Sequence, residues 1–154
     1  MATEIERKFL VVSDAWRAGA QGKLYRQGYL STHKERTVRV RIAGDKAFLT
    51  IKGLSVGASR AEYEYAIPVK DAAEMLDNLC EKPLIEKTRY KIEHGGFTWE
   101  IDEFDGVNKG LIVAEVELPS EDTVFTKPAW VGDDVTEDRR YFNSNLIAKP
   151  FTTW

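Results

Sequence analysis

Pairs of like-charged residues separated by a single residue recur through this sequence. Four pairs are acidic and two are basic: Glu4/Glu6, Glu62/Glu64, Glu100/Asp102 and Glu115/Glu117, with Arg39/Arg41 and Lys87/Arg89. Like charges this close repel each other, so a free surface gains nothing from them. Carboxylate pairs suit a hard divalent cation such as Mg²⁺ or Mn²⁺, and basic pairs suit phosphate oxygens. A site that holds both kinds would accept a polyphosphate together with its metal.

Each pair lies in a segment whose alternation predicts a β-strand, where residues i and i+2 share one face. The clearest segment is 37–43, where arginines alternate with Val38, Val40 and Ile42. Similar patterns predict strands at 3–12, 23–32, 46–52, 59–67, 84–93, 97–104 and 111–118. The charged faces also carry the bases Lys8, Lys52, Arg60 and Lys91. The opposite faces are apolar almost throughout.

This pattern fits two architectures. In an open antiparallel sheet, one face would meet water and the other a core, which the pattern alone favours. In a closed barrel of eight antiparallel strands, the charged face would line the lumen. Such a lumen must be wet, internally paired and able to bind ions, because isolated buried charges are costly. The same-sign pairs favour the barrel, with predicted helices at 71–80 and 138–147 covering its apolar outside.

The remaining segments predict little chemistry. Ser13 or Asp14 is expected to cap a helical turn, and 120–122 is expected to cap another helix. Cys80 is predicted to be a packing residue on a helix face, and His33 and His94 lie beside turns as solvated histidines. No Gly-x-x-x-x-Gly-Lys loop exists, which excludes a P-loop phosphatase.

Length and composition narrow the class of protein. The 154 residues form one domain, 1–154, and the 22 basic residues nearly cancel 25 acidic ones. A net charge of -3 does not predict nucleic acid as a partner. A single cysteine excludes an intramolecular disulfide, and neither a signal peptide nor a membrane-spanning run is recognised. We therefore predict a cytoplasmic protein with no membrane partner, and the oligomeric state stays open, a homodimer included.

The segment Glu4-Ile5-Glu6-Arg7-Lys8 matches the Glu-x-Glu-x-Lys signature of the CYTH domain, the triphosphate tunnel metalloenzymes. The other charged pairs follow in the order expected for that family, and 138–143 is similar to its terminal helix. The whole chain resembles the short bacterial members. The resemblance implies an α+β, mainly β fold, a closed eight-stranded antiparallel tunnel with a charged lumen and a few helices packed outside.

The resemblance also implies roles for individual residues. It makes metal ligands of Glu4, Glu6, Glu115 and Glu117, for Mg²⁺ or Mn²⁺. It makes substrate ligands of Lys8, Arg39, Arg41, Lys52, Arg60, Lys87 and Arg89. It makes catalytic candidates of Glu62, Glu64, Lys87, Glu100 and Asp102, which would activate water, hold a second metal or orient the bases. Tyr29 and Arg139 or Arg140 are expected to be structural or gating residues.

The function implied is metal-dependent hydrolysis of a linear triphosphate to phosphate and pyrophosphate, with inorganic tripolyphosphate as the first expectation. The same tunnel could serve a class IV adenylyl cyclase or a thiamine triphosphatase, although no nucleoside pocket is recognised in the sequence. A polyphosphate- or nucleotide-binding module without turnover is the alternative of a different class. Eight lumen acids argue against it, because pure anion binding does not need them.

Overall fold

The computed structural model describes residues 2–154. Its nine strands are β1 (Ala2–Val11), β2 (Gly22–Ser31), β3 (Arg36–Ala43), β4 (Lys46–Gly53), β5 (Ser59–Ile67), β6 (Ile85–His94), β7 (Phe97–Phe104), β8 (Ile112–Glu117) and β9 (Val131–Asp134). Its α-helices are α1 (Val69–Asn78) and α2 (Asn145–Ala148). Turns of 3₁₀ helix lie at Ala15–Arg17, Gly106–Asn108, Arg139–Tyr141 and Phe151–Thr153.

Eight strands close into an antiparallel barrel in the order β5-β4-β3-β2-β6-β7-β8-β1, and β1 returns to β5. The closure is short, because β1 pairs with β5 only from Ala2 to Ile5. The second half of β1 pairs instead with β9, at Phe9 and Val11. The predicted closed barrel is therefore confirmed. The ninth strand was not predicted, because four residues with Gly132 and two aspartates lack the alternation of a strand.

The strand register brings the charged residues of neighbouring strands side by side on the inner face, as the alternation predicted. An antiparallel ladder places directly paired residues within side-chain reach. The opposite-charge pairs formed in this way include Lys8 with Glu115, Lys52 with Glu62 and Arg89 with Asp102. In two further pairs, Glu6 with Glu117 and Glu100 with Glu115, two carboxylates face each other.

The outer face of the barrel is covered by two apolar clusters. In one, Trp99 packs with Trp16 and Trp130, which come from the loops after β1 and β8. In the other, α1 lays Leu76 over Val40 of β3. Helix α1 begins and ends two residues earlier than the predicted 71–80, so Cys80 lies beyond it. Cys80 is nevertheless buried, as expected of a packing residue.

A third apolar cluster fills one end of the barrel from the inside. Inward-facing residues of the strands meet the segment 139–148, which we call the C-terminal cap; the cluster contains Tyr29, Ile85, Phe104, Leu111, Val113, Val135, Tyr141, Leu146 and Ile147. The sequence placed a helix at 138–147 on the apolar outside, and this position was wrong. The physical reason is that the barrel end carries its own inward apolar ring, which the cap buries.

The expected helix cap at 120–122 was also wrong. Ser120 instead closes a local turn, in which its backbone N–H donates to Thr123 Oγ1 at 3.2 Å. The irregular segment that follows supplies Phe125 and Trp130 to the outer cluster. Among residues 2–154, the helices are all too short or too polar to cross a membrane.

Helix α1 offers a matched test of outer packing. Leu76 is fully buried and Leu79, just after the helix, is 67% exposed. We expect Leu76→Ala to lower the free energy of unfolding by about 2–5 kcal/mol, because it leaves a cavity. Leu79→Ala should change it by less than about 0.5 kcal/mol. Urea denaturation measures both, and equal losses would contradict the packing described.

Candidate active site

The inner faces of the strands and the C-terminal cap enclose a cavity of about 310 Å³. Fourteen of the fifteen residues that the sequence analysis assigned to the site line it: Glu4, Glu6, Lys8, Arg39, Arg41, Lys52, Arg60, Glu62, Glu64, Lys87, Arg89, Glu100, Glu115 and Glu117. Tyr29 lines it as well. Asp102 lies on the same inner face but is fully buried against Lys87 and Arg89. Lys91, Arg139 and Arg140 are exposed and do not belong to the lining.

Asp102 anchors two bases of the neighbouring strand. Its oxygens accept from Arg89 Nε at 2.7 Å and from Arg89 Nη2 at 2.8 Å. The ammonium of Lys87 donates to the same carboxylate at 2.6 Å. Burial favours the neutral carboxyl, but the charges of Arg89 and Lys87 outweigh it and hold the pKa of Asp102 well below its usual range. The carboxylate is therefore ionised, and it fixes both bases.

A second group joins β1 to β8 and to the cap. The Nζ of Lys8 lies 3.5 Å from Glu115 and donates to the backbone oxygen of Tyr141 at 2.9 Å. Arg89 also approaches Glu115, at 3.6 Å. Burial opposes ionisation of Glu115, but Lys8 and Arg89 lower its pKa to about 2. This carboxylate already has two cationic neighbours.

A third group joins β1, β4 and β5 near the barrel closure. Lys52 Nζ donates to both oxygens of Glu4, at 2.8 and 3.0 Å, and lies 3.6 Å from Glu62. Burial opposes ionisation of Glu4, but the charge of Lys52 lowers its pKa overall. Burial, together with a hydrogen bond to Glu4, raises the pKa of Glu62 to about 7. Glu4 is therefore ionised, whereas Glu62 gains and loses its proton near neutral pH.

Glu6 and Glu117 are the carboxylates without a base. Within the described part of the chain, neither forms an ion pair. Burial and the charges of Glu115 and Glu4 raise the pKa of Glu6 to about 8, although its side chain is only half-buried beside the cavity. Burial and Glu4 also raise the pKa of Glu117. A cation bound between them would relieve both carboxylates.

These acids fit a divalent metal by their chemistry rather than by a finished cage. Among residues 2–154, no three side chains of Asp, Glu, His or Cys converge into a ready-made metal cluster. Carboxylate oxygens are the ligands that Mg²⁺ and Mn²⁺ prefer, and Mg²⁺ keeps several waters and needs few protein ligands. Glu6 and Glu117, with Glu4 and Glu115 next to them, are thus the residues able to hold it.

Two arginines lie in the cavity with incomplete partners. The Nε of Arg39 is buried without any hydrogen-bond acceptor in the described structure. Arg41 has no acidic partner there and donates from Nε to Gln27 Oε1 at 2.8 Å. Burial and the charges of Arg39 and Arg89 lower the pKa of Arg41. Adjacent, poorly neutralised guanidinium groups make an anion site.

Exposure orders the charges along the cavity. The side chains of Glu64, Glu100 and Glu62 are 41%, 26% and 22% exposed. Those of Lys87 and Arg89 are only 1% and 8% exposed. These three acids therefore lie nearer to solvent than Lys87 and Arg89, whereas Asp102 and Glu115 are as buried as those bases.

Several neutral side chains in the cavity contact the charged residues and were not predicted from the sequence. Gln27 orients Arg41, the ring of Tyr25 lies 4.9 Å below Arg41 and 5.1 Å below Arg89, and Thr50 bonds Arg39 at 3.3 Å. From the cap, Asn143 accepts from Lys87 at 3.1 Å. Single neutral residues form no charge pattern. The available signal for Tyr25 and Gln27 was their shared strand face with Tyr29.

Known proteins resemble this chain along nearly all its length. The family model described as the CYTH domain matches residues 2–149. The inorganic triphosphatase of Acetivibrio thermocellus is 58% identical over 151 residues, covering 98% of this chain and 97% of the relative. That of Nitrosomonas europaea is 42% identical over 153 residues, covering 94% and 96%. A crystal structure of an inorganic triphosphatase superposes with a TM-score of 0.66 at 39% identity, covering 96% of this chain and 95% of the other.

The raised pKa of Glu6 predicts a pH-dependent stability. Between its ordinary value of 4.5 and about 8, the folded protein keeps a proton that the unfolded chain has released. The contribution of Glu6 to the free energy of unfolding must therefore fall as the pH rises through this range. Without metal at pH 8, Glu6→Gln should be more stable than the parent by roughly 1–3 kcal/mol, and near pH 4.5 the two should agree.

Chemical denaturation across this pH range, in chelator, measures the difference. Glu86→Gln, which removes an exposed carboxylate from the same barrel, should leave the pH dependence unchanged. A Glu6→Gln advantage that is the same at every pH would contradict the assignment.

The anchoring by Asp102 predicts a large loss of stability. Asp102→Asn would remove the buried carboxylate charge that accepts three hydrogen bonds from Lys87 and Arg89, which should lower the free energy of unfolding by about 3–5 kcal/mol. Its neighbour Glu103 pairs with Arg17 in a partly exposed ion pair. Glu103→Gln should therefore cost only about 0–1 kcal/mol in the same urea titration. Similar costs for the two variants would show that the interior charge is not needed.

Proposed function

Because the chain belongs to the CYTH domain family, we propose that it is an inorganic triphosphatase that hydrolyses tripolyphosphate to phosphate and pyrophosphate with a divalent metal ion. The observation that supports this most directly is the presence, in one cavity, of poorly neutralised bases and of acids without bases. In the described structure Arg41 has no carboxylate partner and Arg39 has only Glu64, at 3.7 Å, while Glu6 and Glu117 form no ion pair. A triphosphate with its metal supplies both missing charges.

The bases hold the substrate in our proposal. Lys8, Arg39, Arg41 and Arg89 face the cavity and can donate to phosphate oxygens along the chain. Lys52 and Arg60 lie at its β4–β5 side, where Arg60 is held by Gly53 O at 3.1 Å and by Thr37 at 3.3 Å. Fixed donors position the reacting groups and stabilise the charge of the transition state without reorganisation.

The four metal candidates Glu4, Glu6, Glu115 and Glu117 would hold Mg²⁺ or Mn²⁺. When bound, such an ion supplies Lewis-acid polarisation of the phosphate and favours deprotonation of water. The half-buried Glu6 and the exposed Glu117 would contribute most of the charge, because Lys52 and Lys8 already neutralise the other two.

Proton transfer is assigned to Glu62. A carboxylate whose pKa is about 7 can accept a proton from an attacking water and release it again near neutral pH. The water oxygen bonds to the terminal phosphorus, the bridging P–O bond breaks, and pyrophosphate leaves. Glu64 and Glu100 line the more exposed part of the same wall. Asp102 acts by holding Lys87 and Arg89, so it is a positioning residue in this scheme.

A nucleotide substrate is less well supported. A cyclase or a thiamine triphosphatase needs a place for an organic group at one end of the triphosphate. The face of Tyr25 is covered by Arg41 and Arg89, and Tyr29 is packed into the apolar cluster at the capped end. The remaining lining is mostly charged, which suits a substrate made only of phosphates.

A substrate panel tests the function. Purified protein should release one phosphate and one pyrophosphate from each tripolyphosphate with Mg²⁺ or Mn²⁺, and nothing in excess chelator. ATP and thiamine triphosphate are offered in parallel. Cyclic AMP from ATP would overturn the proposal in favour of a cyclase, and tight binding of tripolyphosphate without turnover would favour a binding module.

The metal assignment makes a sharper prediction. Glu117→Gln should raise the metal concentration for half-maximal activity by at least roughly 10- to 100-fold. That is the usual effect of removing a residue that only supports a metal ligand, and removing a ligand should cost no less. Glu86→Gln, an exposed carboxylate outside the cavity, should match the parent. Full activity of Glu117→Gln at unchanged metal concentration would remove Glu117 from the metal site.

A further inference from the structure

Two neutral amides connect the bases of the cavity to the C-terminal cap. Gln27 Oε1 accepts from Arg41 Nε at 2.8 Å. Gln27 Nε2 donates to Asn143 Oδ1 at 3.4 Å, and the same oxygen accepts from Lys87 Nζ at 3.1 Å. A continuous chain of hydrogen bonds thus runs from Arg41 on β3, through Gln27 on β2 and Asn143 in the cap, to Lys87 on β6.

The polarity of this chain is fixed by its ends. An arginine can only donate, so the carbonyl of Gln27 must face Arg41 and its amide N–H₂ must point the other way. That N–H₂ requires an acceptor, which turns the carbonyl of Asn143 towards it. The same carbonyl then accepts from Lys87, which also can only donate when charged. Reversing either amide would bring two donors together inside a buried network.

Neutral acceptors have a particular effect here. A carboxylate would orient a cation and cancel its charge, as Asp102 does in part for Lys87. An amide carbonyl orients the cation and leaves its charge in place. Gln27 is fully buried, so its dipole acts on Arg41 without competition from water. Arg41 therefore keeps an uncompensated positive charge in a fixed direction.

We propose that Gln27 and Asn143 are positioning residues of the triphosphatase, which hold Arg41 and Lys87 in register for one phosphate chain without neutralising them. This inference rests on the proposed function. Asn143 belongs to the cap, so docking of the cap completes the substrate site as well as closing the barrel end.

A double-mutant cycle tests the bridge. Asn143→Leu and Gln27→Met keep side-chain volume and remove the amides. Each should lower kcat/KM for tripolyphosphate by roughly 10- to 100-fold, the range for a lost hydrogen bond to a charged group. Because both belong to one network, the double variant should lose little more than either single variant. Multiplicative losses, or single variants with the parent's kcat/KM, would overturn the inference.

Asn145→Ala is the matched control for cap stability. Asn145 lies in the same cap and donates to Arg139 O at 2.7 Å, but it does not line the cavity. It should lower the melting temperature while kcat/KM stays near that of the parent. If Asn145→Ala and Asn143→Leu lowered the melting temperature equally and also reduced kcat/KM equally, the loss of activity would come from cap stability. The bridge of hydrogen bonds would then have no role of its own.

Asn143→Asp tests the importance of neutrality. It keeps an acceptor for Lys87 and adds a negative charge, so we expect KM for tripolyphosphate to rise more than tenfold while the protein stays folded. An unchanged KM would contradict the argument. Turnover by the parent separates the two levels: no hydrolysis of tripolyphosphate refutes the proposed function, whereas hydrolysis with unaffected variants refutes only the bridge.

Discussion

The fully buried carboxylate of Asp102 is the charge on which the interior of the barrel depends. A carboxylate removed from water costs several kcal/mol unless bases surround it. Arg89 and Lys87, on the adjacent strand, meet this need with three short hydrogen bonds. Asp102 thereby holds the side chains of Lys87 and Arg89 in place, and both of these side chains line the cavity. Lys8 and Glu115, and then Lys52 and Glu4, repeat the arrangement around the wall with less burial.

The charges that the ion pairs do not neutralise explain the rest of the site. The interior retains positive charge at Arg41, which a neutral amide holds in place, and at Arg39, which has only the distant and partly exposed Glu64; it retains negative charge at Glu6 and Glu117. Neither excess can be removed by rotating side chains, since strand register fixes where each residue points. An anion alone would leave the acids repelling one another, and a metal alone would leave the two arginines poorly neutralised. The two ligands are therefore favoured together.

The like-charged pairs predicted a closed barrel rather than the open sheet that alternation alone favours. Alternation itself placed fourteen of the fifteen predicted site residues on the strand faces that line the cavity, because the choice of face survives folding. The C-terminal cap could not be placed in the same way. Its short helical pattern around Leu146 says that one side is buried, but not against which surface. Gln27 and Asn143 were not predicted as partners because an uncharged amide matters only when it contacts a base. Such contacts depend on distances that alternation does not determine. The strand β9 was missed because pairing with β1, not its own residues, makes it a strand.

Strand β1 has one further consequence, for the order in which the barrel assembles. It precedes the other eight strands in the chain, yet its partners β5, β8 and β9 come about 60 to 130 residues later. During synthesis, which runs from the amino terminus, β1 must wait until β8 and β9 have emerged before its second half finds partners. Pairings this distant in sequence slow folding, because the chain loses the entropy of closing a long loop before the stabilising contacts form. The segment that carries the first metal candidates is thus among the last to be locked in place.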